Sequence, residues 1–201
     1  MIDTFWQTID KWSTNGHESA IHFEHVNFSK EMLAECEKYN SYKKEPWRPI
    51  TRPRYEMVWN KKSQKLEKTN EIFRYYATPN AKDFPILFSF LKNRADVYHK
   101  PEISLLMPGG CIFPHNHASA KVGPDGSTFT EEWLYNMSIN YPKGCRFGVY
   151  PSGLVPYTPG DVYKIRVSQY HSVINDSDTI RYHVVMRTKE TMQYWHGESY
   201  A

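Results

Sequence analysis

The amino-acid sequence predicts a mainly β protein, a barrel or sandwich of short strands with helices ahead of it that buttress its outside. Three observations carry this. Between residues 100 and 188, short segments rich in β-branched and aromatic residues are separated by turns containing Gly, Pro and Asn. Two of those segments alternate a polar and an apolar face with the two-residue period of a strand. Residues 1 to about 95 instead show apolar residues at helical spacing, mixed with loops.

In that first half, Phe5, Ile9 and Trp12 recur at helical spacing. Ser29 is suited to cap a second helix whose apolar stripe is Met32, Leu33, Cys36 and Tyr39. Asp83 ahead of Pro85 marks a third helix start, with Ile86, Leu87, Phe90 and Leu91 as its apolar face. Residues 55–59 alternate like a strand, and the basic stretch 60–68 (NKKSQKLEK) reads as an exposed hairpin or loop. The second half offers strands at 103–107, 133–141, 146–150, 161–167 and 180–187, with turns such as Pro108-Gly109-Gly110, Pro142-Lys143-Gly144 and Pro159-Gly160 between them.

Strand alternation says more. In 180–186, Ile180, Tyr182, Val184 and Met186 share one face, and Arg181, His183 and Val185 the other. In 133–140, Trp133, Tyr135, Met137 and Ile139 oppose Leu134, Asn136, Ser138 and Asn140. The polar faces either meet water, as in a sheet solvated on one side, or line a polar cavity while the apolar faces pack against helices.

Composition excludes several classes. At 201 residues the chain suits one domain that can bury a core without disulfides. The net charge of +3 is spread among acids rather than clustered, so no nucleic-acid partner is expected. Three cysteines, Cys36, Cys111 and Cys145, form an odd and sparse set that fits a reducing compartment. The start, MIDTFWQTIDKW, has no apolar run and does not read as a signal peptide. No stretch is apolar enough to span a membrane, and the expected location is cytoplasmic.

Nine histidines are present, and three form a pattern. His115 and His117 are two residues apart on a short extended piece, so both imidazoles can reach one ion. His171 lies downstream, as a distant third ligand would. Two or three imidazoles leave open positions on an octahedral ion, which suits oxygen or substrate binding. Ten residues beyond His171, Arg181 offers a fixed cation able to hold a carboxylate in bidentate fashion. A metal flanked by an inward arginine is what an α-keto acid needs, because one end chelates the metal and the far carboxylate needs a cation.

In these residues the sequence resembles the aspartyl/asparaginyl β-hydroxylase family of Fe(II)/2-oxoglutarate-dependent oxygenases. The resemblance covers roughly residues 75–188. It is carried by Ser104-Leu-Leu-Met-Pro-Gly-Gly, Pro114-His115, the stretch from Trp133 to Cys145, Pro159-Gly160-Asp161, His171, and Asn175 through Arg181 to Val185. It implies a double-stranded β-helix, jelly-roll and cupin-like, as one oxygenase domain over 1–201: support over 1–98, the β-helix core over 99–189 and a tail over 190–201. It implies His115 and His171 as iron ligands, Arg181 on the distal carboxylate of 2-oxoglutarate, and Ser104 as a further contact to that cosubstrate. The implied reaction turns 2-oxoglutarate and O₂ into succinate and CO₂ while hydroxylating a substrate, a small molecule or a peptide side chain. Asn136 stands where relatives often carry a cosubstrate-binding His, and His183 shares the face of Arg181, either entering the cavity or sitting in the core. Many relatives have His-x-Asp, whereas this chain has His117. It then either ligates the metal, or points away and leaves water, or leaves a position open to halide. The loop 121–130 (KVGPDGSTFT) is the expected lid or substrate loop.

Two other readings compete. Gly109-x5-His115-x-His117 and His171-x3-Asn175 also resemble the two cupin signatures, although 118–122 lacks the glutamate expected after His-x-His. A three-His cupin enzyme would not need Arg181 or a keto acid. A β-barrel binding module without catalysis would bind no stoichiometric iron. Arg52, Arg54 and Arg166 could receive an acidic substrate.

Overall fold

The computed structural model describes residues 18–39, 42, 44–50, 56–122, 126 and 128–196. The expected helix through Phe5, Ile9 and Trp12 lies outside them, as do Arg52, Arg54 and most of the Pro124-Asp125-Gly126 turn. In chain order the elements are β1 (Ala20–His25), α1 (Ser29–Glu37), β2 (Arg48–Pro49), β3 (Glu56–Asn60), β4 (Lys65–Thr69), β5 (Arg74–Ala77), α2 (Pro85–Asn93), β6 (His99–Leu106), β7 (Cys111–His115), β8 (Lys121–Val122), β9 (Thr128–Phe129), β10 (Trp133–Ser138), β11 (Cys145–Val149), β12 (Gly153–Leu154), β13 (Asp161–Arg166), β14 (His171–Asn175), β15 (Arg181–Arg187) and α3 (Lys189–His196).

Two antiparallel sheets face each other. The larger has the order β1-β13-β10-β15-β6-β5-β2 and the smaller β12-β11-β14-β7. This is a double-stranded β-helix, with helices buttressing the larger sheet. Leu106, Leu134, Tyr163 and Ile165 from one sheet meet Phe147, Val149 and Val173 from the other in the interior. On the outside of the larger sheet, Met32 and Cys36 of α1 and Leu87 and Leu91 of α2 pack over Tyr135, Met137, Tyr182, Val184 and Met186. The alternation read from β10 and β15 is thereby resolved. The apolar faces pack against helices, and the polar faces line the interior, where Asn136, Ser138, Arg181 and His183 are all buried.

The part ahead of the core is more than support. β1 pairs with β13, and β5 with β6, so residues expected to be helix and loop extend the larger sheet on both sides. The helix starts also differ from expectation. Ser29 is the first residue of α1 and makes no capping bond from its side chain. The first N–H groups of α2 are met by Glu35 of α1, whose carboxylate accepts from Ile86 and Leu87 at 2.6 and 3.1 Å. Asp83 accepts from Tyr39 Oη at 2.8 Å instead. The basic stretch is the turn of the β3–β4 hairpin, pinned where Asn60 Oδ1 accepts the Lys62 and Ser63 N–H groups. This hairpin lays Trp59 over Cys111 and Ile174 on the outside of the smaller sheet. The expected tail begins with α3.

Two turns set the site. At Gly110, which opens β7, a Cβ would come within 2.6 Å of Leu106 Cδ1 and 2.9 Å of the Met107 carbonyl, so only glycine lets β6 turn back so tightly. Between β14 and β15 the fully buried Asn175 is the staple. Its Nδ2 donates to the carbonyls of Leu106 and Thr179, and its Oδ1 accepts from Ser177 Oγ at 2.6 Å. This fixes the short path from His171 to Arg181.

Candidate metal centre

The antiparallel pairing of β7 and β14 sets His115 directly opposite His171, which brings their side chains together. Just past β7, the His117 N–H donates to the Val167 carbonyl at 2.8 Å and carries its imidazole to the same place. Ring centroids are 4.3 Å apart for His115 and His171, 5.4 Å for His115 and His117, and 5.2 Å for His117 and His171. One ring nitrogen of each lies within 4.8 Å of the others, a group able to hold a metal ion. Of the alternatives left open for His117, pointing away from the group is not what the structure shows.

Hydrogen bonds fix the tautomers. His115 Nδ1 lies 2.6 Å from the Phe113 carbonyl and His171 Nδ1 2.9 Å from that of Gln169. Carbonyls only accept, so each Nδ1 carries the proton and the lone pair is on Nε2. His117 Nδ1 lies 2.9 Å from Glu131 Oε2, with the same consequence. This is the arrangement of metal-ligating imidazoles, with one nitrogen tied to an oriented acceptor. His171 is also kept neutral. Burial, then the charge of His115, pushes its pKa down to about 3.

Glu131 was not foreseen from the sequence. It is 1% exposed and also meets Lys121 Nζ, and Arg187 Nε at 3.1 Å. Burial alone would raise its pKa, but the hydrogen bonds from His117 and Lys121 and the charges of Lys121 and Arg187 outweigh it and hold the carboxyl well below its usual range. The acid absent from 118–122 is thus present in space, as a partner of a ligand rather than a ligand. The loop expected as a lid contains the two-residue pairing of β8 with β9, anchored by Lys121 on Glu131 and by buried Phe129.

Deeper in the barrel Arg181 is 1% exposed, and among the described residues no carboxylate pairs with it. Its Nη2 donates to His183 Nδ1 at 2.9 Å, and its Nε has no hydrogen-bond partner among the described residues. His183 Nε2 in turn donates to Asn136 Oδ1 at 2.9 Å. Burial, then the Arg181 charge, keeps His183 neutral. Both ring nitrogens of His183 are therefore engaged, so it and Asn136 hold Arg181 in place. Ser104 stands across from His183 in the β6–β15 register. Tyr157, also not foreseen, is buried with no partner for its hydroxyl among the described residues, its ring 5.5 Å from that of His183. Burial raises its pKa well above the usual value, although the Arg181 charge opposes this, so the hydroxyl remains a donor. Phe147 spans the two groups, with ring centroids 6.4 Å from His171 and 6.2 Å from His183, and the Arg181 guanidinium carbon 6.0 Å from its ring. Arg166 is on the surface, paired with Glu132 at 2.8 Å.

No protein-family model matches the sequence, and no curated protein does. Solved structures do match in fold. A non-heme alpha ketoglutarate-dependent carbocyclase from nogalamycin biosynthesis aligns over 88% of this chain and 82% of its own, with 13% identity and a TM-score of 0.56. A prolyl-4-hydroxylase from Pseudomonas putida aligns over 85% and 92%, with 11% identity and a TM-score of 0.55. A 2OG-Fe(II) oxygenase family oxidoreductase from Burkholderia pseudomallei aligns over 89% of each chain, with 13% identity and a TM-score of 0.51. At these identities the likeness establishes the shared double-stranded β-helix. Among the described residues no helix is long and apolar enough to cross a membrane.

Proposed function

We propose that the protein is an Fe(II)/2-oxoglutarate-dependent oxygenase of the aspartyl/asparaginyl β-hydroxylase type that hydroxylates a small-molecule or peptide substrate. The single observation that carries this is the pairing, in one barrel interior, of three converging neutral imidazoles with a buried arginine to which no described residue gives a carboxylate. A cation buried without a counter-ion is expensive. A dicarboxylate cosubstrate offsets that cost, and the metal-chelating keto acid accounts for the histidines.

The residues fit both groups. His115, His117 and His171 would hold Fe(II) through Nε2, leaving positions for the keto acid and O₂. Arg181 and Tyr157 would donate to the distal carboxylate through Nε and Oη, which have no acceptor among the described residues. His183 and Asn136 orient Arg181, and Ser104 stands close enough in register to contact the same cosubstrate. When bound, iron and 2-oxoglutarate with O₂ supply the oxidative chemistry, converting the keto acid to succinate and CO₂ and a substrate C–H to C–OH. Phe147, whose ring lies near both His171 and His183, would give the space between the two groups an apolar wall. With His117 turned into the group, a position open to halide is not kept, which favours hydroxylation over halogenation. Three free, buried cysteines support a reducing, cytoplasmic setting.

One observation favours a second reading. The third donor is an imidazole, not the carboxylate of the 2-His-1-carboxylate set, so a three-His metalloenzyme that uses no keto acid also fits. One experiment separates them. The protein is loaded anaerobically with Fe(II) and titrated with 2-oxoglutarate, following the visible charge-transfer band of a keto acid chelated to iron. The band is expected in the wild type, lost in His171→Ala and altered in His117→Ala. Iron binding without a band at any 2-oxoglutarate concentration rejects the oxygenase and leaves the second reading.

A further inference from the structure

The third imidazole differs from the other two in what holds it. His115 and His171 are each oriented by a neutral carbonyl two residues back in the chain. His117 is oriented by a carboxylate fourteen residues further along. A carbonyl can fix an imidazole, as at His171, and a buried carboxylate costs far more in desolvation. The bond is also built into the backbone. The His117 N–H donates to the Val167 carbonyl at 2.8 Å, and the Ser168 N–H donates to the Glu132 carbonyl at 3.3 Å, so both partners are tied to one stretch of chain.

We propose that Glu131 is a positioning residue that supplies, from outside the coordination sphere, the negative charge that a ligand carboxylate would supply directly, and that Lys121 sets how much of that charge reaches His117. The inference rests on the metal centre proposed above. Three neutral imidazoles leave a divalent ion with its whole charge in a partly buried site. A hydrogen bond to a carboxylate makes an imidazole a more basic ligand and offsets part of that charge. Lys121 Nζ bonds the same oxygen, Oε2, that His117 uses, and so competes for its electron density. Arg187 holds the other oxygen at 3.1 Å and fixes the plane of the carboxylate. Since Lys121 belongs to β8, the β8–β9 hairpin is coupled to the donor strength of a metal ligand.

The test uses Co(II) alone, whose visible d–d bands report the ligand field, titrated into the wild type, Glu131→Gln, Glu131→Asp and Lys121→Met. Glu131→Gln is expected to weaken Co(II) binding by roughly 10–100-fold and to shift the bands, as loss of such an outer partner does. Glu131→Asp recovers part of the loss. Lys121→Met is expected to tighten Co(II) binding a few-fold on the order of a single relieved charge, with the bands moving the opposite way. A purely structural Glu131 predicts that both substitutions loosen binding. That result, or an unchanged affinity in Glu131→Gln, overturns the proposal. If Glu131→Gln does not fold, Lys121→Met alone decides: tightening supports the inference, and loosening or no change overturns it. If the wild type binds no Co(II), the metal centre itself fails and the inference falls with it. If the wild type binds Co(II) but never responds to 2-oxoglutarate, the oxygenase fails while the role of Glu131 stands.

Discussion

Two arginines on β15, six residues apart and on the same face, meet opposite fates. Arg187, at the metal end of the barrel, bonds the Glu131 carboxylate at 3.1 Å. Arg181, earlier on the strand, is almost wholly buried; among the described residues no carboxylate pairs with it, and it meets the neutral His183 at 2.9 Å and the ring of Phe147. The side chain is the same, and so is the strand. What differs is whether the protein supplies the anion. Where it does, the charge belongs to the architecture and steadies a histidine. Where it does not, the fold holds a cation with its donor geometry fixed by a histidine and an asparagine, and on the oxygenase proposal a ligand would bring the missing charge. This contrast is the physical content of the oxygenase proposal, and each prediction below attacks one side of it.

The largest effect is expected from exchanging the two positions. Arg181→Ala should lower 2-oxoglutarate affinity by about 100-fold or more, because charge-assisted hydrogen bonds are worth about 1.5–3 kcal/mol each. Arg187→Ala should leave that affinity within about threefold while lowering metal affinity, since it frees one oxygen of Glu131 and loosens the hold on His117. Isothermal titration of both ligands into both variants checks this. Equal losses of 2-oxoglutarate affinity would erase the distinction between the two ends.

The next effect concerns protons, and it sharpens the metal end. Folded His171 refuses a proton until the pH nears 3, whereas an imidazole of the unfolded chain takes one near 6.5. Between those values the unfolded state binds more protons, so this group makes the metal-free protein lose stability as pH falls from 6.5 towards 3, at up to about 1.4 kcal/mol per pH unit. Denaturant unfolding of the wild type and His171→Gln across that range checks it. The wild type should show the steeper decline, and parallel curves would mean that His171 is not held neutral.

How much of this was legible in the sequence follows the same division. The period of two in β10 and β15 placed Asn136, Arg181 and His183 on one face, and spacing alone joined His115 to His117. The strands β6, β10, β11, β13 and β15 were visible because β-branched and aromatic residues alternate between clear turns. β1 was not, because its alternation of Ile21 and Phe23 with His22 and Glu24 lasts only four residues, and at the sheet edge that apolar pair remains exposed. Glu131 escaped for a geometric reason. Counting in twos from Trp133 would put it on the outer face, but β10 begins only at Trp133, and the irregular residues before it let the carboxylate reach His117. Tyr157 lies between β12 and β13, outside any periodic element, so nothing local marks it as buried.

Tyr157 gives the smallest predicted effect and the cleanest sign. Its hydroxyl is buried beside a cation, with no acceptor among the described residues. An unsatisfied buried hydroxyl costs about 1–3 kcal/mol, so Tyr157→Phe, which keeps the ring and its contacts with Phe147, Tyr163 and His183, should stabilise the ligand-free protein by about 1 kcal/mol. If the hydroxyl exists to meet the distal carboxylate, the same substitution removes one hydrogen bond to a charged group and weakens 2-oxoglutarate binding by about tenfold. Gain of stability together with loss of affinity marks a group retained for a ligand at the expense of the fold. A hydroxyl with a merely structural role would lower stability and leave affinity unchanged. Chemical denaturation without 2-oxoglutarate, paired with its titration into the Fe(II)-loaded variant, reads both quantities. The two must move in opposite directions if the surroundings of Arg181 are built around an anion that the described residues do not provide.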